Sequence, residues 1–216
     1  MSHPALTWTA HDTPVATAFD DPYFTGGVAE TAHVFLAGNG LPARFRDGFQ
    51  VAELGFGTGL NLLAVAQACA APICFTSFEA YPMRPEDMAR ALAPFQLPWA
   101  DDLVAAWRVS DGPVRRFTVG SVVAEVHIGD ARETVAAWTG AADAWFLDGF
   151  APARNPELWG DDLLAQVAQH TAAGGTVATY TAAGHVRRAL EAAGFSVTRQ
   201  PGYGRKKHMT TGSIPG

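Results

Sequence analysis

An apolar run, Phe49 to Leu54, passes directly into Gly55-Phe56-Gly57-Thr58-Gly59, and an apolar helical stretch, Leu60 to Ala70, begins at once. A buried strand, a tight glycine turn and a helix leave few architectures open, because a strand that feeds a helix finds its next parallel neighbour through that helix. The pattern recurs. Ile73 to Phe78 ends at Glu79, Pro82 and Pro85 punctuate entry to a helix at Glu86 to Ala93, and another helix spans Ala100 to Trp107. Arg116 to Ile128 reads as a hairpin around Gly120 and Ser121 that runs into Gly129 and Asp130. A helix near Arg132 to Trp138 follows, then strand Ala144 to Leu147 ending at Asp148, and a helix near Asp161 to His170. Strand Thr176 to Tyr180, helix His185 to Ala193, and strands Phe195 to Gln200 and His208 to Ile214 complete the series. This alternation predicts an α/β, Rossmann-like domain with a mostly parallel seven-stranded sheet. The last two strands have no helix between them, which predicts an antiparallel C-terminal edge.

A chain of 216 residues with 48% hydrophobic content can close a full core without disulfides or metal. Residues 1–48, with Trp8, Phe19, Tyr23 and Phe24 among Asp, Pro and Gly and a helix around Val28 to Leu36, read as an N-terminal extension packed on a core domain of residues 49–216. Only Cys69 and Cys74 occur, and no charged-then-apolar leader is visible, so the expected compartment is the cytoplasm. Apolar stretches stop well short of the ~20 residues of a membrane span. The histidines show no metal-ligand spacing, and no metal is expected. The net charge of -6 argues against a uniformly basic nucleic-acid surface. It hides a gradient, since Arg187 to His208 holds six basic residues against one acid, Glu191. That end suits phosphate, or is a solvated surface.

Ligands of open parallel sheets collect at the carboxyl ends of the strands. The first delivers Glu53-Leu54-Gly55-Phe56-Gly57-Thr58-Gly59-Leu60-Asn61, where glycines let the backbone approach a ligand and the helix start offers N–H groups to a carboxylate. Glu79 ends the second strand, placed to accept from ribose hydroxyls. The glycines are spaced Gly-x-Gly-x-Gly, without the later glycine of the dinucleotide fingerprint, and Glu53 would repel a diphosphate. A donor with a sulfonium and an amino group, S-adenosylmethionine, fits better. Asp130 stands where it can take the adenine amino group or cap the next helix. Asp148, in Phe146-Leu147-Asp148-Gly149-Phe150-Ala151-Pro152, is placed to orient an amine, take its proton and aim its lone pair at the methyl group, or else to cap its own loop.

Several segments carry a more specific likeness: Phe19 to Phe24, Gly55 to Asn61, Ser77-Phe78-Glu79, Trp145 to Trp159, Val186-Arg187-Arg188, and Gly202 to Lys207. Together they resemble the tRNA-modifying methyltransferases that comprise the methyltransferase half of bifunctional MnmC and free-standing MnmD. The resemblance implies a class I methyltransferase fold, S-adenosylmethionine as cofactor, and conversion of 5-aminomethyl(-2-thio)uridine to 5-methylaminomethyl(-2-thio)uridine at the tRNA wobble position. It implies that Asp148 is the group nearest the substrate amine, and Asp148 is the expected catalytic residue. The expected cofactor residues are Glu53, Gly55, Phe56, Gly57, Thr58, Gly59, Asn61, Glu79 and Asp130, and the expected substrate and tRNA residues are Tyr23, Phe150, Arg154, Arg187, Arg205, Lys206 and Lys207. Bifunctional members add an FAD-dependent oxidase; with the sequence ending at Gly216, a separate oxidase is the expected partner. Two other readings share parts of this pattern: an N-methyltransferase for a small-molecule or protein amine, and an idle RNA-binding module that kept the fold.

Overall fold

The computed structural model describes residues 3–216. Its first part forms a small antiparallel sheet of β1 (Leu6–Trp8), β2 (Pro14–Ala16) and β3 (Asp21–Pro22). Helix α1 (Gly27–Thr31) follows and runs on through a π-helical turn, Ala32–Leu36. The chain then alternates through β4 (Gln50–Leu54), α2 (Leu60–Ala68), β5 (Ile73–Glu79), α3 (Pro85–Leu92) and α4 (Ala100–Val109). Next come the hairpin β6 (Val114–Val119) and β7 (Val122–Ile128), α5 (Ala131–Ala137), β8 (Ala142–Leu147) and α6 (Asp161–Gln169). It ends with β9 (Thr171–Thr179), α7 (Gly184–Ala192), β10 (Ser196–Pro201) and β11 (His208–Ser213).

The main sheet has eight strands in the order β10-β11-β9-β8-β4-β5-β7-β6. Its five inner strands, β9-β8-β4-β5-β7, are parallel, and β11, β10 and β6 join antiparallel. The C-terminal edge is as the sequence predicts. The eighth strand is an addition to the expected seven, because both arms of the Val114–Ile128 hairpin enter the same sheet and make the opposite edge antiparallel too. Arg116 on β6 pairs with Glu125 on β7 at 2.7 Å, a cross-strand pair on the exposed side of that edge.

Both faces of the inner strands are covered, which is why they read as unbroken apolar runs. Along β8 the side chains alternate between two cores: Ala144 and Phe146 join Phe35, Phe75 and Trp107, whereas Trp145 and Leu147 join Phe78, Trp138 and Trp159. Helix α2 is buried from Leu60 through Ala66, pressed between the sheet and α1, and therefore carries no polar stripe. Residues before Phe49 are tied to the sheet by buried polar contacts. The Asn39 amide donates to the carbonyls of Phe35 and Trp145, and Arg44 Nη1 donates to Asn39 O and Thr176 Oγ1. Among the described residues no helix is long and apolar enough to cross a membrane.

Candidate active site

From β4 the chain steps to β5 on one side and later returns to β8 on the other, so the loops leaving these strands face one crevice. A cavity of about 410 Å³ opens there, roofed by Phe19, Tyr23 and Phe24 of the N-terminal region. Gly55 has φ +90°, and a Cβ on it would lie 2.5 Å from the carbonyl oxygen of Asp148. The turn after β4 and the loop after β8 thus touch backbone to backbone, which only glycine permits. Gly59 precedes α2, whose first turn has no side-chain cap, so its free N–H groups suit an anionic group.

Glu79, at the end of β5, lies in the cavity wall with its carboxylate held by backbone amides: Gly57 N donates to Oε2 at 2.8 Å and Tyr81 N to Oε1 at 2.7 Å. Burial pushes this carboxyl above the ordinary range while these amides pull it back. As an acceptor lining the cavity, the carboxylate can also meet a ligand hydroxyl. Replacing Glu79 by Ala is expected to weaken S-adenosylmethionine by about 1–3 kcal/mol, the range for losing hydrogen bonds to a charged acceptor. Titration calorimetry checks it; wild-type affinity would reduce Glu79 to a brace for the turn.

Asp148 is half-buried where β8 opens into the cavity. The Asn61 side-chain amide donates one N–H to Asp148 Oδ2 at 2.7 Å and the other to Glu53 Oε1 at 2.8 Å. Thr31 Oγ1 donates to Asn61 Oδ1 at 2.8 Å, which fixes the orientation of that amide, and Ser77 Oγ donates to Glu53 Oε2 at 2.6 Å. Desolvation pushes the Asp148 carboxyl up to about 7, opposed by the Asn61 hydrogen bond, with the Glu30 charge adding to the rise and Lys206 reducing it. Glu53 rises to about 8, again through burial, against its bonds from Ser77 and Asn61. A carboxyl poised near neutrality in a cleft is suited to proton transfer.

The structure brings Gly55, Phe56, Gly57, Thr58, Asn61, Glu79, Asp130, Asp148, Tyr23, Phe150 and Lys206 to this cavity. Phe150 stacks on Phe19 with ring centroids 4.5 Å apart and meets Tyr23 edge-on at 5.1 Å. Asp130 caps α5 by accepting from Arg132 N at 2.9 Å while lining the cavity, so both alternatives for it remain open to one residue. The Arg132 guanidinium holds its carboxyl below the usual range.

Other expected site residues lie elsewhere. Glu53 does not face the cavity: it is 1% exposed beneath the glycine turn, both oxygens taken by Asn61 and Ser77. Gly59 is also outside the lining, its α-carbon turned toward Leu103 and Phe56. Arg154 pairs with Asp20 outside the cavity, and Arg187 sits on α7 with its Nε buried and unbonded among the described residues. Arg205 and Lys207 are exposed to solvent. Lys206 departs from them, for its ammonium turns inward, 2.9 Å from Glu30 Oε1 and 3.9 Å from the Tyr180 ring centroid.

Glu30, Thr31 and Tyr180 were not legible as site residues. Tyr180 follows a parallel strand, where ligands gather, and that placement was the available signal. Glu30 and Thr31 reach the site only through the docking of α1, which no local pattern announces. The lining includes six acids, Asp21, Glu30, Glu79, Asp130, Asp148 and Glu157, against Arg132 and Lys206. Such a wall favours cationic ligands and disfavours a diphosphate. Among the described residues no group of three or more His, Cys, Asp or Glu could hold a metal ion.

Comparison with known proteins gives a consistent picture. A sequence family described as S-adenosyl-L-methionine-dependent methyltransferase matches residues 96–215. The chain is 43% identical over 234 residues to the tRNA 5-methylaminomethyl-2-thiouridine biosynthesis bifunctional protein MnmC of Chromohalobacter salexigens, covering 99% of this chain and 33% of that protein. It is 43% identical over 226 residues to the MnmC protein of Ectopseudomonas mendocina, covering 96% and 34%. The chain therefore spans about a third of the length of these relatives. Its fold matches that of MNMC2 from Aquifex Aeolicus with a TM-score of 0.75 at 23% identity, over 100% of this chain and 72% of that one. A second fold match, at TM-score 0.53 and 14% identity, is an S-adenosylmethionine-bound amino pentose methyltransferase of Micromonospora echinaspora, with 88% and 92% covered.

Proposed function

The chain belongs to the S-adenosyl-L-methionine-dependent methyltransferase family, and on that premise we propose that it methylates the primary amine of 5-aminomethyl(-2-thio)uridine at the wobble position of tRNA. The product is 5-methylaminomethyl(-2-thio)uridine. The observation that carries the reading is Asp148: a carboxyl in the cavity wall, one oxygen fixed by Asn61, beside the glycine turn of a methyl-donor site. The role of the MnmC relatives in 5-methylaminomethyl-2-thiouridine biosynthesis supports the substrate.

The cavity fits the cofactor on its own features. The backbone approach at Gly55, the uncapped start of α2 and the Glu79 carboxylate suit a ligand that carries a carboxylate, a ribose and positive charge. When bound, S-adenosylmethionine supplies a methyl carbon on a positively charged sulfur, which leaves as a neutral thioether. The protein must present a neutral amine, since an ammonium has no lone pair. Asp148 accepts an N–H of the amine and takes the proton that blocks attack, while the Thr31-Asn61 bridge holds its carboxylate in place. Phe19, Tyr23 and Phe150 present ring faces and edges to a base lifted from its stack, as single-stranded RNA recognition requires. Exposed Arg205 and Lys207 meet the phosphate backbone. An FAD-dependent oxidase activity that frees the primary amine belongs to the same proposal, and so does a place for both in the cytoplasm.

The test is methylation of tRNA from cells lacking this activity, read by nucleoside mass spectrometry, with appearance of the 5-methylaminomethyl nucleoside as the expected result. Loss of 5-aminomethyl nucleoside without a product, or no change, defeats the reading. In a tRNA-binding titration over a salt series, replacing Arg205 and Lys207 together by Ala is expected to weaken binding and flatten its log–log salt dependence by up to about 0.9 per lost phosphate contact. An unchanged slope would make these two residues mere solvated charges.

A further inference from the structure

We infer that Lys206 belongs to the reaction centre rather than to the RNA-backbone surface, and that its ammonium donates to a ring carbonyl adjacent to the acceptor amine, selecting a pyrimidine that carries such a carbonyl. This inference rests on the proposed wobble-uridine reading and deepens it.

The turn between β10 and β11 separates Lys206 from its basic neighbours. Lys206 N donates to Tyr203 O at 3.0 Å and Gly202 N donates to Lys207 O at 3.1 Å, closing a tight loop. A Cβ on Gly202 would lie 2.2 Å from Lys206 O, so the loop has no room to open with another residue there. The loop seats against the two ends of α1: Tyr203 fills the space above Gly26, just before the helix, and a ring nitrogen of His33, in the π-helical turn after it, meets Pro201 O at 3.0 Å. In that setting Arg205 and Lys207 point to water and Lys206 points into the cavity.

Its partners lead straight to Asp148. Glu30, which binds the Lys206 ammonium, precedes Thr31, which orients the Asn61 amide on Asp148. Tyr180, whose ring lies under the ammonium, donates its hydroxyl to Gly149 O at 2.7 Å, the residue after Asp148. Glu30 does not need Lys206 for satisfaction alone, since its Oε2 already accepts from Thr25 Oγ1 and Gly26 N at 3.0 and 2.9 Å. An ammonium has three donors; Glu30 takes one and the Tyr180 face engages the cation, so a donor is left for a ligand. The cavity thus offers an acceptor, Asp148, and a donor, Lys206, on one wall. In 5-aminomethyluridine the amine is attached next to the C4 carbonyl, and this donor–acceptor pair complements those two groups. An amino group in place of the carbonyl would face the ammonium donor to donor, so the same pair rejects cytosine.

The experiment compares wild type, K206M, E30Q and the double variant E30Q/K206M on tRNA carrying 5-aminomethyluridine, with melting temperature and S-adenosylmethionine affinity measured for each. K206M is expected to lower single-turnover methylation at saturating tRNA by about 10- to 100-fold, the scale of one charge-assisted hydrogen bond. The salt slope of tRNA binding stays at the wild-type value. The double variant, which leaves no buried unpaired carboxylate, is expected to stay as slow as K206M. Wild-type turnover with a salt slope reduced by about 0.7–0.9 would make Lys206 a phosphate contact and overturn the inference. Recovery of wild-type turnover in the double variant would overturn it as well, by showing that Lys206 serves only to neutralise Glu30. A wild-type protein inactive on this tRNA would instead defeat the proposed function, so the two failures are read from different samples.

Discussion

Replacing Asp148 by Asn is expected to cut methyl transfer by about 10²–10⁴-fold, the contribution typical of a positioned general base, while leaving S-adenosylmethionine binding in place. Asn keeps the size of the side chain and an oxygen that can accept from Asn61, now at 2.7 Å from Asp148 Oδ2, so the Thr31-Asn61-Glu53 network stays closed. What disappears is the charge that, in the proposed mechanism, takes the amine proton. In wild type, kcat/KM should rise with pH through about 7 as Asp148 ionises. The variant should lack that limb and gain rate only where the amine loses its proton unaided.

Stability gives an independent sign. The Asp148 carboxyl, raised by desolvation to about 7, and the Glu53 carboxyl, raised likewise to about 8, both favour the protonated form in the folded protein. Groups raised in this way contribute stability that is full below their unfolded values, about 4 for carboxyls, and is lost as pH climbs through 7 to 8. The Asn variant has no charge to desolvate at position 148, so its melting temperature relative to wild type should improve between pH 5 and 8. A loop-capping role for Asp148 predicts the reverse, lower stability with little kinetic change. Single-turnover rates and melting curves across that pH range separate the two.

The strand-to-glycine-to-helix pattern was enough to place Gly55, Gly57, Glu79, Asp130 and Asp148 at the carboxyl ends of neighbouring strands, because parallel topology forces those ends together. The misplaced residues share a different property. Glu53 is one position before the strand's last residue, and the two-residue alternation of a strand turned it inward, under the turn, to Ser77 and Asn61. Lys206 lay in a run of three basic residues that composition treats alike, and only the loop fixed by Gly202 and Tyr203 separates them. Glu30 and Thr31 come from α1, a five-residue helix, and reach Asp148 through tertiary docking rather than spacing. The extra edge strand has a similar origin: a hairpin is legible locally, but its outer arm's place in the main sheet is set by pairing with β7.

Gly57 offers the second large effect. Its φ is +52°, and a Cβ there would lie 3.0 Å from the Tyr23 ring. Asp and Asn tolerate this left-handed backbone better than other side chains, so Gly57→Asp and Gly57→Asn should both fold, with Tyr23 shifting by a few tenths of an ångström. The Asp variant, however, places a carboxylate beside Glu79, whose Oε2 accepts from the Gly57 N–H at 2.8 Å. A new anion in a site already rich in acids, next to the uncapped start of α2 that is proposed to take the ligand carboxylate, would repel that carboxylate and occupy its donors. S-adenosylmethionine affinity should fall by more than about 100-fold in Gly57→Asp, equivalent to about 3 kcal/mol. Gly57→Asn, isosteric and neutral, should lose distinctly less, because it keeps the steric cost and omits the charge. Calorimetry on both variants with matched melting temperatures decides the matter: equal losses would mean that the turn excludes side chains by space alone, and wild-type affinity in Gly57→Asp would remove the turn from the cofactor site.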